Sequence, residues 1–337
     1  MQIGRKIFQM NSDDTYLSNM HGVFEPYTAA LLNTLIKPGD VALDVGANIG
    51  CTALLLGQTV SKVIAFEPGR RTFAMLVRNI EQSGMTNIHA VNAGLGSKDA
   101  EFDLMFNPAN RSGGVVLRGD AGKGQVGHER ERIQILNGDD YIRKSLIDRI
   151  DFIKIDVEGF EQDVVTGFSE TISKHRPVVI LELNHWCLNA FQRCSVPQYF
   201  DFLRSIFPVL YAFHVDEVKN LHDPQESFQV MSEHILTFKY MSIVAAFDTT
   251  QIEDFIQIYV RRSGRYIQLE QQHETDKKEI AELRDSGHAL RSQVSDLIES
   301  DAALRSQIAE MSKAAETLQN RISWRLTAPL RAVRRWM

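Results

Sequence analysis

The sequence predicts an α/β fold: a doubly wound, mostly parallel sheet across residues 24–264, then an α-helical coiled coil across 265–320 and a basic amphipathic tail at 321–337. Three observations carry this reading. Short, largely apolar, β-branched runs alternate with helical stretches up to about residue 240, the pattern of strands buried on both faces of a parallel sheet. The first of these runs ends in a glycine-containing turn that leads into a helix. Beyond about residue 265 glycine nearly vanishes, and apolar residues recur at alternating steps of three and four. A chain of 337 residues is also longer than one ordinary domain of about 150.

Hydrophobic residues at 44% and charged residues at 24% supply a sizeable core and exclude a solvated, coreless chain. The net charge of −6 argues against a general nucleic-acid binder, because phosphate affinity depends on clustered Lys and Arg. Cys51, Cys187 and Cys194 are too few for a disulfide framework and fit a reducing cytoplasm. Residues 1–11 hold no apolar core of signal-peptide length, and no apolar run reaches the roughly 18 residues of a spanning helix. The expectation is a protein neither exported by that route nor integral to a membrane.

Residues 1–23 read as a lead-in. The segment Gly22-Val-Phe-Glu25-Pro-Tyr27-Thr28 opens the first helix, either as a plain entry with Pro26 in the first turn or as a flap folding over a ligand. Strands are expected at 41–45, 62–66, 88–92, 151–156 and 177–184, with crossover helices such as 71–84 and 161–174 between them. Two later candidates, 209–214 and 235–240, would end the sheet in a hairpin. Residues 107–127 break the rhythm with six glycines and no periodicity, which reads as a mobile loop able to cover a site.

The strongest local signal is Asp44-Val-Gly46-Ala-Asn48-Ile-Gly50, a buried strand running into a turn and a helix. Gly46 lets the backbone turn sharply and approach a ligand, and Gly50 lets the helix start pack on the strand. A dinucleotide fingerprint needs G-x-G-x-x-G; here Asn48 takes the middle place, leaving little provision for a pyrophosphate. At the end of the second strand stands Phe66-Glu67-Pro68. A carboxylate there accepts hydrogen bonds from both hydroxyls of a ribose. The other reading of Glu67 is a negative charge at a helix N-terminus.

Together with Ile153-Lys-Ile-Asp156-Val-Glu158-Gly-Phe-Glu161, these motifs resemble those of the FkbM-type methyltransferases, a branch of the class I S-adenosylmethionine-dependent enzymes, over roughly residues 24–240. The resemblance implies a Rossmann-like, seven-stranded sheet with its last strand antiparallel, S-adenosyl-L-methionine as methyl donor, and transfer usually to an oxygen. It implies donor contacts from Asp44, Gly46, Asn48, Gly50 and Glu67. Asn92, at the end of the third strand, is the candidate where many class I enzymes hold an acidic residue near the adenine.

An alcohol is a weak nucleophile at its free pKa, so an enzyme of this kind must align it and take its proton. The candidate bases at the carboxyl ends of the fourth and fifth strands are Asp156, Glu158, Glu182 and His185. Each also has a structural reading: Glu158 as a cap for the helix near Glu161, Lys154 as the neutraliser of Asp156, His185 as a hydrogen-bonded loop residue. A divalent cation on these groups is the weaker option, because no tight ligand spacing is present.

From Ile280 to Ile322, thirteen positions at three-and-four spacing are apolar except Gly287 and Asp301, the repeat of a left-handed coiled coil and an expected homo-oligomer. Ala289-Leu-Arg-Ser-Gln recurs at Ala303, two heptads later. The alternative is one amphipathic helix folded back on the catalytic domain. The tail carries Arg321, Arg325, Arg331, Arg334 and Arg335 with Trp324 and Trp336 and no acid, which suits a helix on an anionic membrane surface. A frayed basic terminus is the plainer reading. The run from Ser323 to Arg331 resembles tails of bacterial surface-polysaccharide enzymes.

The whole points to a cytoplasmic enzyme, peripheral at the inner face of the membrane, that methylates a sugar hydroxyl of a surface polysaccharide or its lipid-linked precursor. The rivals are a small lipid or polyketide-like acceptor and a non-catalytic scaffold. DNA methylation is disfavoured because the fourth strand ends in Asp156-Val-Glu158-Gly, not in an Asn- or Asp-Pro-Pro-aromatic turn.

Overall fold

The computed structural model describes residues 1–117 and 127–326, the side chains of Asn19, 262–275 and 320–326 apart. The chain divides into two compact units, Met1–Arg265 and Tyr266–Met337.

In the first unit, after a two-stranded N-terminal hairpin of Gln2–Ile3 and Lys6–Ile7, the strands are β1 (Val41–Val45), β2 (Lys62–Phe66), β3 (Ile88–Val91), β4 (Gly94–Gly96), β5 (Ala100–Asn107), β6 (Asn110–Leu117), β7 (Glu129–Asn137), β8 (Phe152–Ile155), β9 (Val178–Glu182), β10 (Val209–His214), β11 (Glu217–Asn220) and β12 (Ser242–Ala246). Eight of them form the main sheet in the order β11-β10-β12-β9-β8-β1-β2-β3. The five strands from β9 to β3 run parallel, and β12 is antiparallel to both β9 and β10. The mostly parallel core is as expected, but the hairpin partner of β10 is β11 rather than residues 235–240. Leu43, Val45, Ile153 and Ile155 point into one core layer, while Ala42, Val63 and Phe152 point into the other. This two-sided burial is why the strands read as near-continuous apolar runs.

The expected strand at 235–240 is corrected: those residues end the helix Pro224–Thr237 and the turn after it, and the closing strand is Ser242–Ala246. Asp223 decides this, since its side chain accepts the amide protons of Gln225 and Glu226 and, with Pro224 at the first turn, starts a helix. The expected helix at 161–174 is two, Glu161–Gly167 and Ser169–His175, parted at the fully buried Phe168. The loop expected at 107–127 is also corrected. Asn110–Leu117 is strand β6, paired antiparallel with β5 in a second sheet of order β4-β7-β5-β6, and 118–126 lie outside the described residues. Gly113 and Gly114 hid the strand by removing the alternating side chains on which a period-two reading depends.

The main sheet reverses its order between β1 and β8, and the carboxyl ends of these neighbours face the crevice where open α/β sheets bind ligands. Gly46 ends β1 with φ +85°, and a Cβ there would overlap the Asp156 carbonyl oxygen at the end of β8. The glycine is thus required by contact between two strand ends, in addition to any ligand. Gly46→Ala is expected to cost more than about 3 kcal/mol of stability, from left-handed backbone strain plus overlap with a backbone atom that cannot yield; urea denaturation measures it.

The second unit lies along the helix Arg261–Leu326, which continues unbroken for 66 residues. Its apolar stripe is exposed, from 53% at Ile280 and Val294 to 73% at Met311. The tail at 327–337 lies outside the described residues. No helix of the described residues is long and apolar enough to cross a membrane.

Candidate active site

A cavity of about 270 Å³ opens at the carboxyl ends of β1, β2, β8 and β9. Gly46, Asn48, Glu67, Asp156, Glu158 and Glu182 all line it; Asp44, Gly50, Asn92 and His185 do not.

One end is built on the turn after β1. Asn48 takes a left-handed backbone (φ 52°), which Asn tolerates better than most residues, and its N–H donates to Glu67 Oε2 at 3.1 Å. The Gly69 N–H donates to Glu67 Oε1 at 2.9 Å, at the start of the helix Arg70–Ser83. One carboxylate therefore both faces the cavity and serves a helix entry. Burial raises its pKa to about 7 against the lowering effect of the two amides. Asn92 supports this group from behind: its Nδ2 donates to the carbonyls of Glu67 at 2.9 Å and Pro68 at 3.2 Å. Gly50 caps the helix Cys51–Gly57, and a Cβ there would press on Leu76.

Asp44 is fully buried, and neither of its carboxylate oxygens has a hydrogen-bond partner. Lys154 Nζ stands 3.8 Å away and reaches Asp156 at 2.7 Å. Burial raises Asp44 to about 6, with Lys154 opposing. Burial also acts to lower the Lys154 pKa, but Asp156 and Asp44 outweigh it and the ammonium is held.

At the other end, Glu158 adopts a strained left-handed backbone (φ 51°) and accepts from Asn184 Nδ2 at 2.8 Å. Burial, then Asp156, lifts it to about 7. Glu182 is raised well above the usual carboxyl range by burial and by Asp156, Glu158 and Glu161 in turn, and its Oε2 has no partner. Glu161, which does not line the cavity, accepts the amides of Val157 and Gly159 and so shapes the loop carrying Glu158. His185 lies apart, its ring 4.9 Å from His234 and 4.4 Å from Phe238. Among the described residues no group of three or more His, Cys, Asp or Glu is arranged to hold a metal ion.

Sequence reasoning missed Tyr16, Arg111 and Glu131, which also line the cavity. The first two come from one long-range clamp. Thr15 N–H donates to Ala109 O at 2.9 Å, the Arg111 N–H donates to Asp14 Oδ2 at 3.0 Å, and the Arg111 guanidinium pairs with Asp13 and Asp14. No local pattern announces a contact between residues 13–16 and 109–111. Glu131 was findable: it occupies an inward position of a period-two strand whose next inward residues are Ile133 and Ile135.

These raised carboxyls bear on stability. Glu161 is pushed up to about 8, chiefly by burial, so the folded state binds its proton more tightly than the unfolded chain does. Its contribution is fully present below the ordinary carboxyl value of 4.5 and is lost as pH rises through about 8. The melting temperature should therefore fall from pH 5 to pH 9. Glu161→Gln, which keeps an oxygen for the two amides, should flatten that fall in a thermal melt series.

Residues 44–215, just over half of the chain, match the methyltransferase FkbM domain. The hexuronic acid methyltransferase AglP of Haloferax volcanii is 30% identical over 143 residues, which are 42% of this chain and 55% of that protein. The 2-O-methyltransferase NoeI of Sinorhizobium fredii is 30% identical over 167 residues, 43% of this chain and 64% of that protein. The chain thus spans under two thirds of the length of these curated relatives. The crystal structure of methyltransferase FkbM from Methylobacillus flagellatus shares 18% identity with a TM-score of 0.42, covering 68% of this chain and 50% of that one. The matched segment holds the glycine turn after β1, the Glu67 carboxylate and the Asp156 to Glu161 loop around one cavity, and the chain belongs to the FkbM methyltransferase domain family.

Proposed function

We propose that the chain is an S-adenosylmethionine-dependent O-methyltransferase acting on a sugar hydroxyl of a bacterial surface polysaccharide or its lipid-linked precursor. The observation that carries this is the two-ended cavity, with a turn and a buried carboxylate suited to a nucleoside at one end and a cluster of acids around Lys154 at the other. The lining fits a positively charged donor: six carboxyl side chains, Glu25, Glu67, Glu131, Asp156, Glu158 and Glu182, stand against Lys154 and the already paired Arg111. Relatives named for a hexuronic acid and for 2-O-methylation favour an oxygen on a sugar ring.

When bound, S-adenosylmethionine supplies an electrophilic methyl on a sulfonium. Glu67 would hold the ribose hydroxyls, and the Gly46 to Asn48 turn would let the backbone approach. Asp156, 40% exposed and paired with Lys154, is the carboxylate assigned to take the acceptor's hydroxyl proton. Glu158 and Glu182, with raised pKa values, offer protons as well as lone pairs to neighbouring hydroxyls. Orientation of the acceptor oxygen in line with the methyl is the larger share of the work.

Glu67→Ala should weaken S-adenosylmethionine binding by about 1.5–3 kcal/mol, the range for hydrogen bonds to a charged acceptor, as read by calorimetry. Asp156→Asn should reduce turnover in a labelled-methyl assay with donor affinity kept, and His185→Ala should leave both nearly unchanged.

The long helix enters the proposal as an assembly element that pairs with a second copy through its exposed stripe, since an isolated helix gains too little from propensity to keep such a face in water. The arginine-rich tail, read from its sequence, would bring the assembly to an anionic membrane surface. Light scattering is expected to find the full chain oligomeric and a chain ending at Gly264 monomeric. Vesicles rich in anionic lipid should pellet the full chain at low salt and release it at high salt.

A further inference from the structure

The second sheet walls the Glu67 end of the cavity. Its strands β5 and β7 pair antiparallel, with Leu104 directly opposite Glu131 and Phe102 opposite Ile133. Leu104, Phe106 and Ile135 from these strands, with Leu95 from β4 of the same sheet and Pro68 from the turn after β2, line the cavity with apolar surface. Glu131 is the acidic group on that wall. It is half-buried at an inward position where its successors Ile133 and Ile135 are 3% and 2% exposed. Glu131 is close enough to Glu67 to act on it electrostatically, and Leu104 lies within reach of Gly69, which holds the Glu67 carboxylate. Glu67, Gly69, Leu104 and Glu131 therefore form one continuous surface.

A carboxylate on an apolar wall costs free energy unless something compensates it. The compensation within the chain is partial. The Arg70 N–H donates to Glu131 Oε1 at 3.1 Å and Arg70 Nε stands 3.5 Å from the same oxygen, while Oε2 receives no hydrogen bond among the described residues. Asn92, the residue expected to meet the adenine, has its amide turned to the carbonyls of Glu67 and Pro68. A nucleoside with its ribose on Glu67 would lay its base against the apolar wall, where Glu131 offers a carboxylate acceptor.

We propose that Glu131 reads the donor's base by accepting a hydrogen bond from the exocyclic amino group of adenine, so that the inserted sheet selects the donor as well as covering it. This rests on the donor assignment proposed above. The chain-internal alternative is that Glu131 only caps the helix Arg70–Ser83, whose N-cap residue Gly69 offers no side chain for the purpose.

The test compares S-adenosylhomocysteine with its analogue lacking the 6-amino group, by calorimetry on the full chain. Wild type should prefer the amino form by roughly ten- to a hundredfold, as for a hydrogen bond to a charged acceptor. Glu131→Gln keeps an oxygen for the Arg70 amide and presents a donor to the base, and the preference should fall to within about threefold. Equal binding of both ligands by wild type would overturn the proposal without recourse to a variant. So would a Glu131→Gln protein that weakens both ligands by the same factor, which is the signature of helix capping alone. Wild type that binds neither ligand would instead overturn the donor assignment.

Discussion

The site depends on one buried cation. Lys154, with its side chain 13% exposed, lies between Asp44 on β1 and Asp156 at the end of β8, the two strands where the main sheet changes direction. The fully buried Asp44 carboxylate and the nearly buried ammonium are tolerable only together, and removal of the lysine would leave uncompensated buried charge at a cost of about 3–5 kcal/mol. The arrangement fixes where Asp156 points relative to the turn after β1.

Around that cation the acids are graded by their surroundings. Glu67 sits at the end of the cavity near the turn after β1 with both oxygens bonded to amides, Glu161 braces the loop from beneath, and Glu158 and Glu182 approach Asp156 with raised pKa values. Like charges this close in a low-dielectric site do not all ionise at neutral pH. Protons retained on some of them let neighbouring carboxyls act as donors and acceptors toward one another. A cluster that looks repulsive as a list of residues thus becomes a set of distinct donors and acceptors.

The walls of the cavity come from segments that do not belong to the main sheet. The N-terminal segment brings Tyr16 in, and the second sheet brings Leu104, Phe106, Arg111 and Glu131. The clamp between residues 13–15 and 109–111 joins these two contributions, so part of the enclosure is set by contacts nearly a hundred residues apart in sequence.

The sequence by itself determined the parallel core of the sheet, because strands buried on both faces must be apolar almost throughout, and it determined Asn48, Glu67, Asp156, Glu158 and Glu182, which stand at strand ends in local motifs. The 66-residue helix was legible for the same reason, being a periodic and uninterrupted pattern. It did not reveal β6, whose glycines erase the period, nor the end of the helix Pro224–Thr237, where Asp223 and Pro224 override an apolar run. Only the tertiary structure decided that Asn92 turns toward the backbone of Glu67 and Pro68, that His185 packs against His234 outside the cavity, and that Gly46 is held by the Asp156 carbonyl. The reason is physical: a strand or helix is specified by neighbours along the chain, whereas the direction of a side chain at a strand end is specified by whatever distant segment folds against it.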